Sequence, residues 1–165
     1  KMTLLQKKIF YDSNFILIST KYKSNEVDEI KKIINFSKQY DKEIILTTNG
    51  PVFEYTDYLS IIDNFYLDNK RLPNLDEIIL LEKKYFTSLS DQTENVINKK
   101  IIEISKNLNI KLLKKFDLLC NSKLKRCEFL TPDKDKIIFD SSHYSLKGAK
   151  YIGKKIFNSN WLNLN

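Results

Sequence analysis

The chain has 165 residues, a mass of 19.5 kDa and 42% hydrophobic residues, which is enough for one compact domain with its own core. Three glycines and three prolines argue against a collagen-like chain or a flexible linker, and no apolar run approaches the roughly 20 residues of a membrane-spanning helix. The formal net charge is +7. We therefore predict a single, basic, globular domain over residues 1–165.

The positive charge does not by itself identify a partner. Nucleic-acid binding would favour arginine, whose guanidinium forms bidentate contacts with phosphates and bases, but the chain has only Arg71 and Arg126. The lysines are scattered over every predicted helix, and the sequence contains no nucleic-acid-binding motif, phosphate-binding glycine loop or metal-spaced cluster. We expect no nucleic-acid partner, no cofactor and no metal.

The first half of the chain alternates between strand and helix patterns. Residues 15–20, FILIST, follow a turn-prone segment and predict a buried strand. Apolar residues at three- and four-residue spacing over 25–40 predict an amphipathic helix. Residues 43–48, EIILTT, predict a second buried strand. A strand, a helix and a strand in this order predict a βαβ unit with parallel strands.

The second half continues the alternation. Further helices are predicted over residues 58–64, 75–89, 93–108 and 146–157, the last with Ser145 as its N-cap. A third strand is predicted at 110–113, which implies a second βαβ crossover. Between this strand and the last helix, residues 120–135 predict a polar loop and 137–139 a short apolar stretch.

The candidate catalytic chemistry lies in residues 139–149, FDSSHYSLKGA. Asp140 precedes His143, the only histidine, by three residues, so its carboxylate can turn back and accept the Nδ1–H. Nε2 would then be a base able to take a proton from a serine hydroxyl. Gly148, Ala149 and Gly153 are small enough to seat the following helix closely on the sheet. The alternative interpretation is that Asp140 caps a turn and His143 covers the helix start.

Two cysteines, Cys120 and Cys127, have six residues between them. This spacing leaves open either a disulfide that closes a small loop or two free thiols. Two cysteines and one histidine cannot complete a four-ligand zinc site without recruited carboxylates, so a structural metal is not expected.

Residues 139–149 resemble the last block of the SGNH hydrolase superfamily, in which Asp-x-x-His lies near the C-terminus before a final helix. More narrowly, the chain is similar to the SGNH domain fused to integral-membrane O-acyltransferases, where a cysteine pair precedes Asp-x-x-His-Leu-Ser-x-x-Gly-Ala. Tyr144 stands where that pattern has leucine. The resemblance implies a three-layer α/β/α, flavodoxin-like fold of the SGNH type with a mainly parallel sheet, a disulfide between Cys120 and Cys127, and an extracytoplasmic location.

The resemblance also implies a function. The domain would move or hydrolyse acetyl-type esters on carbohydrate, with His143 as general base and Asp140 orienting it. Its partners would be an acyl donor and a carbohydrate acceptor, and it would be covalently linked to a membrane acyltransferase domain upstream. The alternative is a non-catalytic carbohydrate-binding or scaffold domain that has lost its nucleophile.

The sequence departs from the family at the nucleophile and at the oxyanion hole. The family's Gly-Asp-Ser block is absent, and the nearest match, Asp12-Ser13, precedes a strand and predicts a turn. Because the chain begins at Lys1 without an initiator Met, we expect the first strand, the nucleophile and the first helix to lie upstream of it. At residues 19–23, STKYK replaces the superfamily's Gly-x-Asn-Asp, which leaves Asn49 as either a polar contributor or a turn residue.

Overall fold

The computed structural model describes residues 3–53, 59–90, 93–140 and 143–161. The described residues divide into two compact units, one within Lys1–Asn49 and Val96–Lys114 and the other within Gly50–Asn95 and Lys115–Asn165. Each unit has its own apolar core. That residues 1–165 act as one domain stays a prediction.

The first unit is a parallel sheet covered by helices. Its elements are α1 (Leu4–Asp12), β1 (Phe15–Ile18), a short 3-10 helix (Ser24–Glu26), α2 (Val27–Lys38), β2 (Glu43–Thr47), most of α5 (Thr93–Asn107) and β3 (Lys111–Leu113). The strand order is β1-β2-β3, and both pairings are parallel, with Ile16 opposite Ile44 and Leu46 opposite Leu112. The predicted α/β fold with parallel strands is therefore confirmed, and it is consistent with an α/β/α architecture.

Alternate residues of the strands face the core of this unit. Ile44 and Leu46 are buried there against the apolar faces of α2 and α5. The opposite face of β1 is open among the described residues, because Phe15 and Leu17 are 39% and 59% exposed. The prediction that β1 is buried is therefore wrong: a continuous apolar run suggests burial on both faces, but β1 is an edge strand with one covered face.

The second unit is mostly helical. It contains α3 (Ile61–Asn69), α4 (Leu75–Ser90), α6 (Lys115–Leu119), β4 (Cys120–Asn121), β5 (Arg126–Cys127) and α7 (Leu146–Asn158). The predicted helices at 75–89, 93–108 and 146–157 are confirmed. The helix predicted over 58–64 instead begins after Ser60, whose hydroxyl accepts the Asp63 N–H, and runs on to Asn69. Residues 54–58, which include the predicted first residue of this helix, lie outside the described residues.

Helix α1 and a short hairpin are among the elements that the sequence did not predict. Helix α1 begins at a capping box in which the Thr3 hydroxyl accepts the Gln6 N–H, although the segment buries no residue. Within the predicted polar loop over 120–135, β4 and β5 pair antiparallel and form a short hairpin. No helix among the described residues is long and apolar enough to cross a membrane.

Candidate active site

A short hairpin-like loop carries Asp140 and His143. Ile138 forms an antiparallel bridge with Tyr144, and the Phe139 N–H donates to the His143 carbonyl at 2.8 Å. The loop is anchored in the core of the second unit, since Ile137 and Ile138 are 0% and 5% exposed. Both ends of the loop are therefore fixed, and residues 141–142 between them lie outside the described residues.

The Asp140 carboxylate holds His143 at two points. Oδ1 accepts the His143 backbone N–H at 2.8 Å, and Oδ2 lies 2.6 Å from Nδ1 of the ring. A carboxylate at Nδ1 favours the tautomer with the proton there, which leaves the Nε2 lone pair free to accept a proton. The sequence prediction that Asp140 turns back onto His143 matches this geometry. The catalytic roles of both residues stay a prediction.

The imidazole is open to solvent. The side chain of His143 is 79% exposed and that of Asp140 is 39% exposed. In the described part of the chain, no hydrogen bond to Nε2 is present. Nε2 is therefore accessible to an approaching hydroxyl, which the predicted role as a general base requires.

Helix α7 begins directly after the loop and fixes its position. Ser145 is the N-cap as predicted: its Oγ accepts the Gly148 N–H at 2.9 Å and donates to the carbonyl of Lys136. A methyl group at Gly148 would lie 1.9 Å from the Ile137 carbonyl oxygen, so only glycine fits there. The prediction for Gly153 is wrong, because no described residue outside its own helical turns lies within 4 Å of a Cβ at that position. Ala149 is exposed as well.

Three residues that the sequence did not single out as a group lie together in the second unit. A Cβ at Gly50 would be 3.7 Å from the Tyr144 hydroxyl and 4.0 Å from the Lys115 Cβ. Burial raises the pKa of the Tyr144 phenol and lowers the pKa of the Lys115 ammonium. Only Tyr144 lies in the 139–149 motif, and the three residues are far apart in sequence, so no sequence signal could have grouped them.

The two polar candidates in the first unit have structural roles. Asn49 is 1% exposed, and its side chain accepts the Tyr22 N–H at 2.8 Å and donates to the Tyr22 carbonyl at 3.1 Å. Ser13 is the C-cap of α1, and its hydroxyl donates to the Phe10 carbonyl at 3.0 Å. Asn49 therefore links two backbone segments, and Ser13 lies at the turn that the sequence predicts.

Cys120 and Cys127 form a disulfide across the β4–β5 hairpin, which resolves the choice that their spacing left open. Both half-cystines are buried, at 3% and 0% exposure. Among the described residues, no group of three or more histidine, cysteine, aspartate or glutamate side chains is placed to hold a metal ion.

No protein-family model and no curated protein matches the sequence. Among solved structures, the chain is similar to the periplasmic domain of a lipopolysaccharide acetyltransferase from Salmonella ser. Paratyphi A. The TM-score is 0.54 at 17% sequence identity, over 93% of this chain and 59% of that domain. At this identity the likeness shows the fold. The chain thus spans less than two thirds of the length of its structural neighbour.

Proposed function

We propose that this chain is part of an acyltransferase or esterase domain of the SGNH type that acts on acetyl-type esters of carbohydrate. The observation that carries the proposal is the 2.6 Å contact between Asp140 Oδ2 and His143 Nδ1 on an exposed loop. The similarity of the fold to a periplasmic acetyltransferase domain supports the same class of chemistry.

His143 would act on a serine supplied by another segment. Nε2 takes the proton of the serine hydroxyl while the serine oxygen forms a bond to the acyl carbonyl carbon of the donor. The Asp140 carboxylate stabilises the imidazolium that results. When the tetrahedral intermediate collapses, the carbon–oxygen bond to the leaving group breaks and the imidazolium returns the proton to it. A sugar hydroxyl or water then attacks the acyl-serine by the same route in reverse.

The cellular setting belongs to the same proposal. The neighbour is described as a periplasmic domain, and the disulfide between Cys120 and Cys127 suits an oxidising compartment. We infer an extracytoplasmic location, a carbohydrate acceptor, an acyl donor, and a link to a membrane acyltransferase domain.

Acetyl-ester turnover tests the catalytic claim. The chain is expressed together with whatever its gene encodes upstream of Lys1, and hydrolysis of p-nitrophenyl acetate and transfer to sugar hydroxyls are measured. His143→Ala should lower kcat/KM by at least about a thousandfold, and Asp140→Asn by about as much. Lys123→Gln, an exposed change in the β4–β5 hairpin, is the control and should leave turnover unchanged.

Turnover that survives His143→Ala would place the activity elsewhere. Glycan binding without any turnover by the extended protein would instead favour the non-catalytic alternative.

The contact between Asp140 and the His143 ring can be measured separately, because His143 is the only histidine. ¹⁵N NMR of the ring should show the Nδ1–H tautomer in the parent chain and a mixture of tautomers in Asp140→Asn.

A further inference from the structure

A cleft of about 520 Å³ lies between α7 and the turn at residues 131–135 in the second unit. This volume is within the range of small-molecule sites, roughly 300–1,000 Å³. Its walls combine lysines from α7 with carboxylate and amide side chains. The lining residues that matter here are Asp133, Asp135, Lys147, Lys150, Lys154 and Asn158.

The turn that forms one wall is held by its own hydrogen bonds. The Thr131 N–H donates to the Asp135 carbonyl at 2.9 Å, and the Asp135 N–H donates to the Thr131 Oγ1 at 3.1 Å. Lys134 adopts a left-handed conformation, with φ of 64°, that closes the turn. The cleft is thus bounded by a helix on one side and a well-bonded turn on the other.

Two of the lysines of the cleft are already paired. Lys147 Nζ lies 3.6 Å from Asp135 Oδ2. Lys155 Nζ lies 2.6 Å from Glu128 Oε2 and donates to the Leu118 carbonyl at 2.9 Å, while the Tyr151 hydroxyl donates to the same carboxylate. These two ammonium groups are neutralised within the protein.

Lys150 and Lys154 differ from these two. Both are exposed, and neither forms an ion pair or side-chain hydrogen bond with the described residues. They are four residues apart on α7, which places them side by side, about 5–6 Å apart at Cβ. Like charges at this spacing repel each other, so an anion that bridges both ammonium groups would relieve the repulsion. Asp133 and Asn158 add hydrogen-bond acceptors to the same cleft.

We propose that this cleft binds the phosphate monoester group of a hydroxyl-rich molecule. Lys150 and Lys154 would contact the phosphate oxygens, and Asp133 and Asn158 would accept hydrogen bonds from hydroxyl groups of the same molecule. A phosphate monoester carries close to two negative charges at neutral pH, which matches two ammonium groups where a carboxylate would match one. Lysine binds phosphate as a point charge from a flexible stem. The proposal does not depend on catalysis by His143.

Direct binding tests the site on the full chain at low ionic strength. Glucose 6-phosphate is titrated by calorimetry, with glucose and glucuronate as comparisons. We expect binding of glucose 6-phosphate, at least about tenfold weaker binding of glucuronate, and none of glucose. The double variant Lys150→Gln/Lys154→Gln should weaken the binding of glucose 6-phosphate at least about tenfold. The matched control Lys83→Gln/Lys84→Gln removes the same charge from α4, outside the cleft, and should change little.

A second arm identifies the source of the phosphate. Flotation with phosphatidylcholine vesicles containing about 30 mol% phosphatidic acid, an anionic lipid that attracts basic surfaces, is compared with flotation with phosphatidylcholine alone. Binding to the acidic vesicles that is lost in Lys150→Gln/Lys154→Gln points to a lipid headgroup, and binding to glucose 6-phosphate alone points to a soluble phosphate ester. The proposal is overturned if neither probe binds, if glucuronate binds as tightly, or if both double variants lose binding equally.

Discussion

Gly148 lies against the backbone carbonyl of Ile137, and a Cβ built on this glycine would be 1.9 Å from that oxygen. Glycine is therefore required at the first turn of α7, directly after the loop that holds Asp140 and His143. The close approach also lets the Ser145 N–H reach the same carbonyl at 3.0 Å. The position of the candidate dyad thus depends on the absence of one methyl group.

Gly148→Ala should destabilise the chain by about 3 kcal/mol or more, because the methyl group would overlap backbone atoms that no rotamer change can move. Gly153→Ala in the same helix is the matched control. A Cβ there has no neighbour within 4 Å among the residues that the structure describes beyond its own helical turns, so the change should raise the free energy of unfolding by about 0.5–1 kcal/mol through helix propensity. Urea unfolding measures both, and equal effects would contradict the close approach.

Asn49 and Asn98 form a buried network of side-chain amides and backbone groups. Besides the two bonds from Asn49 to Tyr22, the Asn98 side chain accepts the Asn49 N–H at 2.7 Å and donates to the Asn49 carbonyl at 3.2 Å. Asn49→Ala leaves the Tyr22 N–H and carbonyl without these partners, so it should lower the unfolding free energy by about 2–4 kcal/mol. Asn35→Ala, at an exposed site on α2, should stay within about 0.5 kcal/mol of the parent in the same urea titration.

The disulfide between Cys120 and Cys127 closes a short loop and limits the freedom of the unfolded chain. Replacing both cysteines by alanine should lower the unfolding free energy by about 2–3 kcal/mol. The parent chain should lose a similar amount when dithiothreitol is added, while the double variant should not respond. If dithiothreitol lowered the free energy of unfolding equally in both proteins, its effect would not come from reduction of this disulfide.

Glu82 is buried and its carboxylate receives both a 2.7 Å bond from Arg126 Nε and a contact from the other end of the same guanidinium. Burial raises the pKa of the Glu82 carboxyl, and Arg126 opposes that rise. Arg126→Met removes the opposing charge, so it should lower the free energy of unfolding by about 3 kcal/mol at neutral pH. The double change Arg126→Met/Glu82→Leu should restore most of the lost free energy of unfolding, since no unpaired charge remains.

The sign of the pH dependence follows from the raised pKa. A buried carboxyl whose folded pKa lies above its ordinary value of 4.5 weakens the fold as it ionises, so stability falls as the pH rises through that range. The difference in free energy of unfolding between the parent and Arg126→Met should therefore become smaller as the pH falls from 7 towards 4.5. Urea unfolding at several pH values measures it, and a deficit that grows on acidification would contradict the interpretation.

Periodicity predicted much of the fold correctly. The parallel strands were predicted from short apolar runs, and the helices α4, α5 and α7 are long enough for an apolar repeat to emerge. The β4–β5 hairpin was missed because two-residue strands have no period, and α1 was missed because it buries nothing, although Thr3 and Gln6 form a recognisable capping box. The exposed face of β1 was missed because an apolar run does not reveal whether a strand lies at an edge.

Short-range chemistry was determined by the sequence itself. Asp140 and His143, and likewise Ser145 and Gly148, are three residues apart, so the sequence alone brings each pair within reach in one turn of chain. The tertiary structure decided what depends on distant segments: that Gly148 and not Gly153 must be glycine, that Asn49 links to Tyr22, and that Arg126 compensates Glu82. The physical reason is that backbone stereochemistry fixes the spacing of residues close in sequence, whereas tertiary packing determines which distant groups are buried against each other.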